Sequence, residues 1–299
     1  ATRSELLVER PAQAEESLTH AGRPGVLRAL LAQRTAVVGL AIVGLMGFVA
    51  IAAPVLAASD PAAVDASRRL LPPSLEHPFG TDNIGRDILS RIMWGARLSL
   101  GTAALATVLI LTIGVGLGLV TGYFGGLVDD LVMRVVDVVL AFPALILALA
   151  IVGVLGPGIG SVMIGVVSVA WADYARVMRA LVLAAREQPY VEAARAVGVT
   201  HTRVLVRHLL PNVLPPIVVL ASLEMGGLIL TVSALSFLGL GAQPPTPEWG
   251  AMLNDGRPFI LVAPQLMIYP GLAISIVVVG FNLLGDGLRD ALDPHTRMA

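Results

Sequence analysis

Six long apolar segments alternate with polar segments along this 299-residue chain. The apolar segments cover residues 36–58, 98–122, 131–155, 160–183, 213–240 and 266–285. Each is long enough to cross a bilayer as a helix, which needs about 20 predominantly apolar residues. The pattern therefore predicts an all-α integral membrane protein with six transmembrane helices.

Two features inside the apolar segments indicate how their helices pack. A glycine recurs at every fourth position around the end of the second segment, at Gly114, Gly118, Gly122 and Gly126. Such a stripe lets another helix backbone approach closely, so tight packing is expected there. In the third segment, Pro143 is expected to bend the helix. Arg134 and Asp137 lie three residues apart near its start and are expected to pair.

Composition agrees with a membrane protein and excludes several classes of function. The chain is 56% hydrophobic and 14% charged, which is more apolar than a soluble domain of this length requires. Its formal net charge of -1 gives no indication of a nucleic-acid partner. It has no cysteine, so disulfides, a thiolate nucleophile and cysteine-based metal sites are excluded.

The residue types present also argue against catalysis by this chain. All 20 basic residues are arginine, whereas a Walker A loop needs a lysine on the nucleotide phosphates. Neither a His-Glu-x-x-His nor a Gly-x-Ser-x-Gly motif occurs. The five histidines are scattered, and His201 and His208 are interpreted as solvated helix residues. We therefore predict no catalytic residue and no metal site, and any ATP-driven work falls to a partner.

The arginines predict the orientation of the helices. With six spans and the N-terminus in the cytoplasm, 14 arginines fall in inner segments and 6 in outer segments. Cytoplasmic loops of membrane proteins are enriched in basic residues. Both termini and the polar segment 186–212 are therefore expected to face the cytoplasm.

The polar segment after the fourth apolar one is predicted to contain two short helices. Pro189 suits the first position of a helix, Glu192 lies in the first turn, where an anion is favourable, and Gly198 can end the helix. Thr200 is expected to cap the second helix and Pro211 to stop it. The first helix is rich in small helix formers, Ala193, Ala194 and Ala196. These residues alone leave two interpretations open, an amphipathic hairpin on the membrane surface and a piece that fits a groove in another protein.

The spacing in this segment resembles the cytoplasmic coupling motif of ABC-importer permeases. The matching positions are Glu192, Ala193, Ala194, Gly198, Leu210 and Pro211. The run His208-Leu209-Leu210-Pro211-Asn212 looks like the branch of that family that imports dipeptides, oligopeptides and nickel. The resemblance implies that the matching residues contact an ATPase subunit.

Two polar segments on the opposite side resemble the same branch. One carries the pattern Phe-Gly-Thr-Asp-x-x-Gly-Arg-Asp, formed by Phe79, Gly80, Thr81, Asp82, Gly85, Arg86 and Asp87. The other contains Pro247, Glu248 and Trp249. The resemblance implies an external gate or a contact with a binding protein. By themselves, Asp82, Arg86 and Asp87 also suit a folded loop in which the charges pair locally.

The resemblance extends from about residue 77 to residue 294 and implies the rest of a transport machine. The fold would be that of a type I ABC-importer permease in a bacterial plasma (inner) membrane. The implied partners are a homologous second permease, two ATPase subunits and an external solute-binding protein. ATP and Mg would bind in the ATPase subunits, and this chain would hold no cofactor. The solutes would be peptides or similar small molecules.

This interpretation divides the chain into four parts. Residues 1–34 are expected to form a cytoplasmic tail, disordered before a short helix at the membrane surface. Residues 35–97 hold the first transmembrane helix and the external segment. Residues 98–288 form a core of five transmembrane helices with the coupling loop 186–212, and residues 289–299 form a cytoplasmic C-terminal tail.

A secondary transporter or channel subunit is the alternative. It predicts inverted repeats, broken helices and buried ion-binding carboxylates. No repeat is visible in the sequence, and only Glu224 is expected deep in the membrane. An intramembrane enzyme has less support, because the chain lacks a nucleophile–base signature.

Glu224 lies near the middle of the fifth apolar segment, where an ionised carboxylate costs about 2–4 kcal/mol unless it is paired or wet. Three interpretations stay open. The side chain is protonated and bonded to a hydroxyl such as that of Ser222 or Thr231. Alternatively, it pairs with the second permease. In the third, it lines the pathway and meets a cationic group of the solute, such as the amino terminus of a peptide.

Overall fold

The computed structural model describes residues 30–292. Residues 1–29 of the expected N-terminal tail, 1–34, and residues 293–299 of the expected C-terminal tail, 289–299, lie outside the described residues. In between, nine helices have eight or more residues, and they are named here in chain order: α1 (Arg34–Leu56), α2 (Ile88–Phe124), α3 (Gly126–Leu140), α4 (Ala144–Leu155), α5 (Ile159–Arg186), α6 (Pro189–Ala196), α7 (His201–Phe237), α8 (Trp249–Gly256) and α9 (Gln265–Leu292). Two short 3-10 helices cover Ala66–Arg68 and Arg257–Phe259.

The all-α prediction is confirmed for the described part of the chain. Five helices, α1, α2, α5, α7 and α9, are long and apolar enough to cross a membrane, and the bent pair α3–α4 supplies a sixth apolar element. Residues 30–292 contain no β strand, only an isolated antiparallel bridge between Thr81 and Asp87. The order and composition of the predicted spans are therefore reproduced.

The third span is broken, whereas a single bent helix was expected over residues 131–155. α3 already begins at Gly126, and α3 and α4 meet at an angle of 91°. Pro143 precedes α4 with an extended backbone, φ -57° and ψ 123°. Because proline cannot donate the N–H bond that would continue α3, the chain leaves the helix and restarts it in a new direction.

Other helices extend beyond their apolar segments because polar residues complete their ends. α2 begins at Ile88, ten residues before the expected start at residue 98. The Asp87 carboxylate caps this end, because it accepts the Ser90 N–H at 2.8 Å. α9 continues past the expected end at residue 285 to Leu292, so the start of the expected C-terminal tail is helical. The expected polar loop over residues 241–263 contains α8.

The glycine stripe brings α2 against α5 at three of its four positions. A Cβ added at Gly114, Gly118 or Gly122 would lie 2.5–2.9 Å from a backbone oxygen of α5, too close for any side chain. Gly126 is different, because it begins α3 with φ +62° and nothing lies within 4 Å of its Cβ position. The close-packing prediction is thus correct for the first three glycines and wrong for Gly126.

Ion pairs join α3 to α5, but with partners other than the expected ones. Asp137 binds the guanidinium of Arg176 at 2.5 Å, so the expected pairing of Asp137 with Arg134 is wrong. One turn further along α5, Arg179 donates to both carboxylate oxygens of Asp129. The packing of the two helices places α5 arginines opposite the α3 carboxylates, so Asp137 binds an arginine of the neighbouring helix. The Asp129–Arg179 pair is bidentate, which is a strong geometry for an ion pair.

Two buried clusters hold the helices together. The larger lies among α2, α4, α5 and α7 and includes Ile110, Met178 and Ile217. The second lies around α8, where Trp249 is fully buried. Large apolar side chains on the outer faces stay exposed, as Ile51 and Val55 of α1 do at 81% and 87%. Exposed apolar surface of this extent is what a lipid-facing helix presents.

Candidate functional site

The first helix of the Gly198 segment, residues 186–212, forms as predicted. Pro189 occupies the first position of α6, and Glu192 lies in the first turn. Val191 and Ala194 point inward and are buried, whereas Glu192 and Ala193 are exposed. Val197, just past the helix, is 79% exposed. The exposed face of the segment is therefore made of small residues, with the Glu192 carboxylate and the apolar Val197 side chain.

Gly198 ends α6 through its backbone conformation. Its φ is +76°, in the left-handed region that favours glycine. Its N–H donates to the Arg195 carbonyl at 3.0 Å and the Val199 N–H donates to the Ala194 carbonyl at 3.1 Å, the pair of bonds of a Schellman cap. Among residues 30–292, nothing lies within 4 Å of its Cβ position. The bend needs glycine for its φ angle, and the space around it is open.

The second part of the segment differs from the prediction. A helix begins at His201 after Thr200, but the Thr200 side chain makes no capping bond. The helix does not stop at Pro211 and runs on as α7 to Phe237. Leu210 and Pro211 therefore lie inside a continuous helix, where the segment becomes a membrane span.

A π-helical stretch explains why Pro211 is tolerated there. Residues Val204–Leu209 widen the helix, and the Leu210 N–H donates to the Leu205 carbonyl, five residues back. The side-chain amide of Asn212 donates to the His208 carbonyl at 2.7 Å. The wider π-helical turn and the Asn212 amide reduce the free-energy cost of Pro211, which lacks a backbone N–H to donate inside the helix.

An aromatic clamp at the end of α2, which sequence reasoning missed, holds both sides of the Gly198 bend. The Tyr123 hydroxyl lies 2.8 Å from Nδ1 of His201. The Arg195 guanidinium lies 4.9 Å from the centre of the Tyr123 ring, a cation–π distance. Thus α6, through Arg195, and α7, through His201, contact one side chain of α2. A tyrosine at the end of an apolar segment is the only signal that the sequence offered.

The opposite polar regions fold into one unit, here called the polar cap and defined as residues 57–87 and 241–263. Asp82 is its centre: one oxygen accepts the backbone N–H groups of Ile84 and Arg86, and the other binds Nε of Arg86 at 2.6 Å. Arg86 and Arg91 also approach Asp255 of α8, at 3.5 and 3.8 Å. The expected pairing of Asp82 with Arg86 is confirmed, and the network also joins both parts of the cap.

The other members of the Phe-Gly-Thr-Asp pattern also have structural roles. Asp87 binds His77 at 2.9 Å besides capping α2. The Phe79 ring stacks on Tyr269 of α9 at 4.1 Å, and the Thr81 hydroxyl accepts the Leu71 N–H. Gly80 and Gly85 have φ of +80° and +86°. A Cβ on either would strike the backbone oxygen of Leu71 or Asp65.

Glu248 and Trp249 anchor α8 to α2. The fully buried Glu248 carboxylate caps α8, accepting the N–H groups of Gly250 and Ala251 and the hydroxyl of Ser99. The Trp249 indole donates to the Ile92 carbonyl at 3.0 Å. Pro247 precedes them and is half-buried. These buried contacts give the pattern a scaffolding role inside the chain.

Glu224 opens into a cavity of about 190 Å³ among α4, α5 and α7. Its side chain is exposed in this chain. The hydroxyls of Ser222 and Thr231 donate to the Val218 and Gly227 carbonyls, each at 2.9 Å. Within residues 30–292 neither hydroxyl bonds Glu224, which was one of the three open interpretations. Asp173 lines the same cavity.

Comparisons with known proteins agree with this architecture. Residues 114–298 match the family described as "Binding-protein-dependent transport system inner membrane component", and residues 25–73 match "N-terminal TM domain of oligopeptide transport permease C". Among solved structures, the MetNI methionine ABC transporter in inward-facing conformations has a chain with a TM-score of 0.54 and 19% identity. The match covers 69% of this chain and 98% of that one, which shows a shared fold.

Three relatives are similar over most of their length. The dipeptide transport system permease protein DppC of Alkalihalophilus pseudofirmus is 47% identical over 88% of this chain and 87% of its own. The nickel transport system permease protein NikC of Escherichia coli strain K12 is 46% identical over 86% and 92%. The glutathione transport system permease protein GsiD of Escherichia coli O157:H7 is 46% identical over 75% and 74%. The chain therefore belongs to the family of inner-membrane components of binding-protein-dependent transport systems, in the dipeptide, oligopeptide and nickel branch of ABC-importer permeases.

Proposed function

We propose that this permease forms half of the translocation pathway of an ATP-driven importer for peptides or similar small solutes. A homologous second permease completes the pathway, two ATPase subunits bind ATP and Mg, and an external solute-binding protein delivers the solute. The named transport systems of the relatives support this choice of solute class. The alternative, a secondary transporter or channel, predicts broken helices, and the bend between α3 and α4 is compatible with it. Family membership nevertheless favours the importer.

The observation that carries the coupling role is the continuity of the Gly198 segment with α7. The exposed face of α6, with Glu192 and Ala193, is the surface proposed to dock on an ATPase subunit. Ala194 is buried and supports that face from behind, and Gly198 sets the bend. Leu210 and Pro211 lie where the segment continues into the membrane.

ATP binding closes the two ATPase subunits, and α6 moves with them. Because α7 is one helix from His201 to Phe237, this displacement acts directly on a pathway helix. Tyr123 passes the same movement to α2 through Arg195 and His201. A ligand-driven switch needs different contacts in its two states, and ATPase closure supplies that difference.

The orientation with both termini in the cytoplasm follows from the same proposal. Arginines surround the Gly198 segment, at Arg176, Arg179, Arg186, Arg195, Arg203 and Arg207. Such enrichment is typical of the cytoplasmic side. The polar cap then faces outward, where Phe79–Asp87 and Pro247–Trp249 shape a gate or support a surface for the binding protein.

Single cysteines test both proposals, because the native chain has none. Ser74→Cys and Thr246→Cys lie at exposed cap positions and are expected to react with an impermeant thiol reagent in intact cells. Arg203→Cys should react only after lysis. Ala193→Cys should crosslink to an ATPase subunit within the assembled complex. The reverse labelling pattern, or crosslinking absent from Ala193→Cys, would contradict the orientation or the docking role respectively.

A further inference from the structure

An apolar cleft opens between α7 and α9 at the ends that adjoin the polar cap. Its volume is about 390 Å³, and it extends from Leu230 to Phe237 along α7 and from Met267 to Ile274 along α9. Seven residues of helix rise about 10 Å, so the cleft is about two turns deep. Apart from Ser233, all the residues that line it are apolar or glycine. Such a surface favours an apolar occupant over water.

Small residues keep this cleft open. At Gly271 of α9, an added Cβ would meet only Cδ2 of Leu253 among the described residues, at the ordinary contact distance of 3.9 Å. This differs from Gly114, where a Cβ would strike the backbone of α5. Close helix packing therefore does not explain the missing side chain at Gly271. The space beside it is available to another molecule.

The turn between the polar cap and α9 carries apolar side chains that this chain leaves largely uncovered. Ile260 is 50% exposed, Leu261 95% and Val262 78%. The exposed apolar surface continues along α9 at Ile268 and Leu272, each one residue after a residue that lines the cleft. Three consecutive apolar residues are unfavourable in water, whereas contact with lipid buries them. This continuity indicates that the turn and the mouth of the cleft both meet the membrane.

A cation lies at the edge of the same surface. Arg257 is exposed, and its backbone N–H donates to the carbonyl of Leu253, which lines the cleft. The two residues are one helical turn apart and therefore lie on the same side of the helix. Within residues 30–292 Arg257 takes part in no ion pair, and the nearby Asp255 approaches Arg86 and Arg91 instead. A guanidinium at the border of apolar surface suits a phosphate group.

We propose that the cleft and Arg257 form a binding site for one phospholipid of the outer leaflet. One acyl chain lies in the cleft, the phosphate accepts hydrogen bonds from Arg257, and Leu261 and Val262 insert among neighbouring lipids. A phospholipid supplies the apolar chain and the anionic group in one molecule, which matches both halves of this surface. The choice of leaflet rests on the proposed orientation, whereas the site itself does not depend on transport.

Fluorescence quenching by labelled lipid tests the site. Leu230→Cys gives this chain a single thiol at the deep end of the cleft, and because Leu230 is 49% exposed, a bimane label there need not fill the cleft. The importer, assembled with cysteine-free partner subunits, is placed in phosphatidylcholine nanodiscs. These contain increasing fractions of phosphatidylglycerol with a nitroxide on its acyl chain. Ile51→Cys, at an 81% exposed position of α1, reports the surrounding lipid.

Half of the quenching at Leu230→Cys should occur at a fraction of labelled lipid about fivefold lower than at Ile51→Cys. This factor corresponds to one cationic contact with an anionic lipid. Arg257→Gln should abolish the difference, and Gly271→Leu should do the same by filling the cleft. Arg69→Gln is the matched control, since it removes another exposed arginine of the polar cap that does not line the cleft. The values at Ile51→Cys should not change in any variant.

Two results in the otherwise native chain would overturn the proposal, and neither requires the variants to fold. Equal half-quenching fractions at Leu230→Cys and Ile51→Cys would mean that the cleft retains no lipid. Quenching at Ile51→Cys alone would mean that protein, such as the second permease, covers the cleft. The labelled lipid is present in both leaflets and no transport is measured. The lipid site can therefore fail while Ala193→Cys still crosslinks to an ATPase subunit, so the two proposals are tested separately.

Discussion

The Gly198 segment and the polar cap lie at opposite ends of α2 and hold their shapes by different means. The cap is closed around buried charges, with Asp82, Arg86 and Arg91 each at most 6% exposed. The Gly198 segment is open: no atom of the described residues lies within 4 Å of the Cβ position of Gly198, and Val197 is 79% exposed. One end is fixed by ion pairs, and the other by a φ angle and an aromatic clamp.

This difference indicates a division of roles along α2. Burial of paired charges makes a rigid arrangement, because loss of one partner leaves an uncompensated charge. An exposed bend with few contacts belongs to the low-stability end of a structure, where moving elements are found. We therefore expect substitutions in the cap to affect folding and substitutions in the Gly198 segment to affect coupling.

Asp82→Asn should have the largest effect on stability. It removes the charge that binds Arg86 at 2.6 Å in a buried site, and the expected loss is about 3–5 kcal/mol of unfolding free energy. Thermal unfolding of the detergent-solubilised protein and its level in membranes measure this loss. Asp60→Asn is the matched control, since Asp60 is exposed and its carboxylate accepts the N–H of Ala62, two residues along the chain. Equal melting temperatures for the two variants would contradict a rigid cap.

Gly198→Val should abolish transport while the protein remains inserted and folded. Valine in the left-handed region costs on the order of 1–3 kcal/mol and disrupts the α6 cap, so the docking face moves. Gly126→Val is the matched control, with φ +62° and an equally open Cβ position outside the segment. Uptake by reconstituted importer is the measurement. Loss of uptake in both variants alike would argue for backbone strain in general and against coupling.

Glu192→Ala should be milder than Gly198→Val. The carboxylate is exposed, and one surface contact contributes at most about 1 kcal/mol. Partial uptake with normal protein levels is expected in the same assay. A complete loss would show that the carboxylate is a central contact of the docking face and that the bend matters less.

The sequence predicted the parts of both regions that depend on local chemistry. Pro189 and Gly198 could be placed at the ends of α6 because their backbone preferences do not depend on distant residues. Pro211 was misjudged because proline rules assume a regular helix, and a π-helical turn accommodated it.

Long-range partners could not be predicted from spacing. Asp137 binds Arg176 of another helix, Asp82 shares its arginines with Asp255, and Tyr123 meets His201, 78 residues away along the chain. Asp173 and Glu224 share a cavity only because α5 and α7 cross there. The site residues proposed on α6 come from a family pattern, while the residues that contact them, such as Tyr123, required the three-dimensional arrangement.

Tyr123→Phe tests the clamp with a smaller expected effect. It removes the hydroxyl bonded to His201 and keeps the ring that contacts Arg195. Loss of this one hydrogen bond should lower the unfolding free energy by about 1 kcal/mol. The number of ATP molecules hydrolysed per solute imported should rise, because α2 follows α6 and α7 less closely. Tyr190→Phe is the control, since in the described part of the chain its hydroxyl bonds only Asn212, at 3.5 Å. An unchanged ratio for Tyr123→Phe would exclude its hydroxyl from coupling.

Asp255→Asn should have the smallest effect and should separate the core of the cap network from its edge. Burial raises the pKa of Asp255 above its ordinary value of 3.8, although Arg91 and Arg86 act in the opposite direction. A raised pKa means that the folded state favours the protonated form, so this contribution to stability is present below pH 3.8 and is lost as pH rises through the raised pKa. Asparagine resembles the protonated form, and the change in unfolding free energy at neutral pH should stay below about 1 kcal/mol. As pH rises from 3.8 through the raised pKa, the melting temperature of the wild type should include a small decrease due to Asp255, and that decrease should be missing in the variant. A loss as large as that of Asp82→Asn would place Asp255 at the centre of the cap.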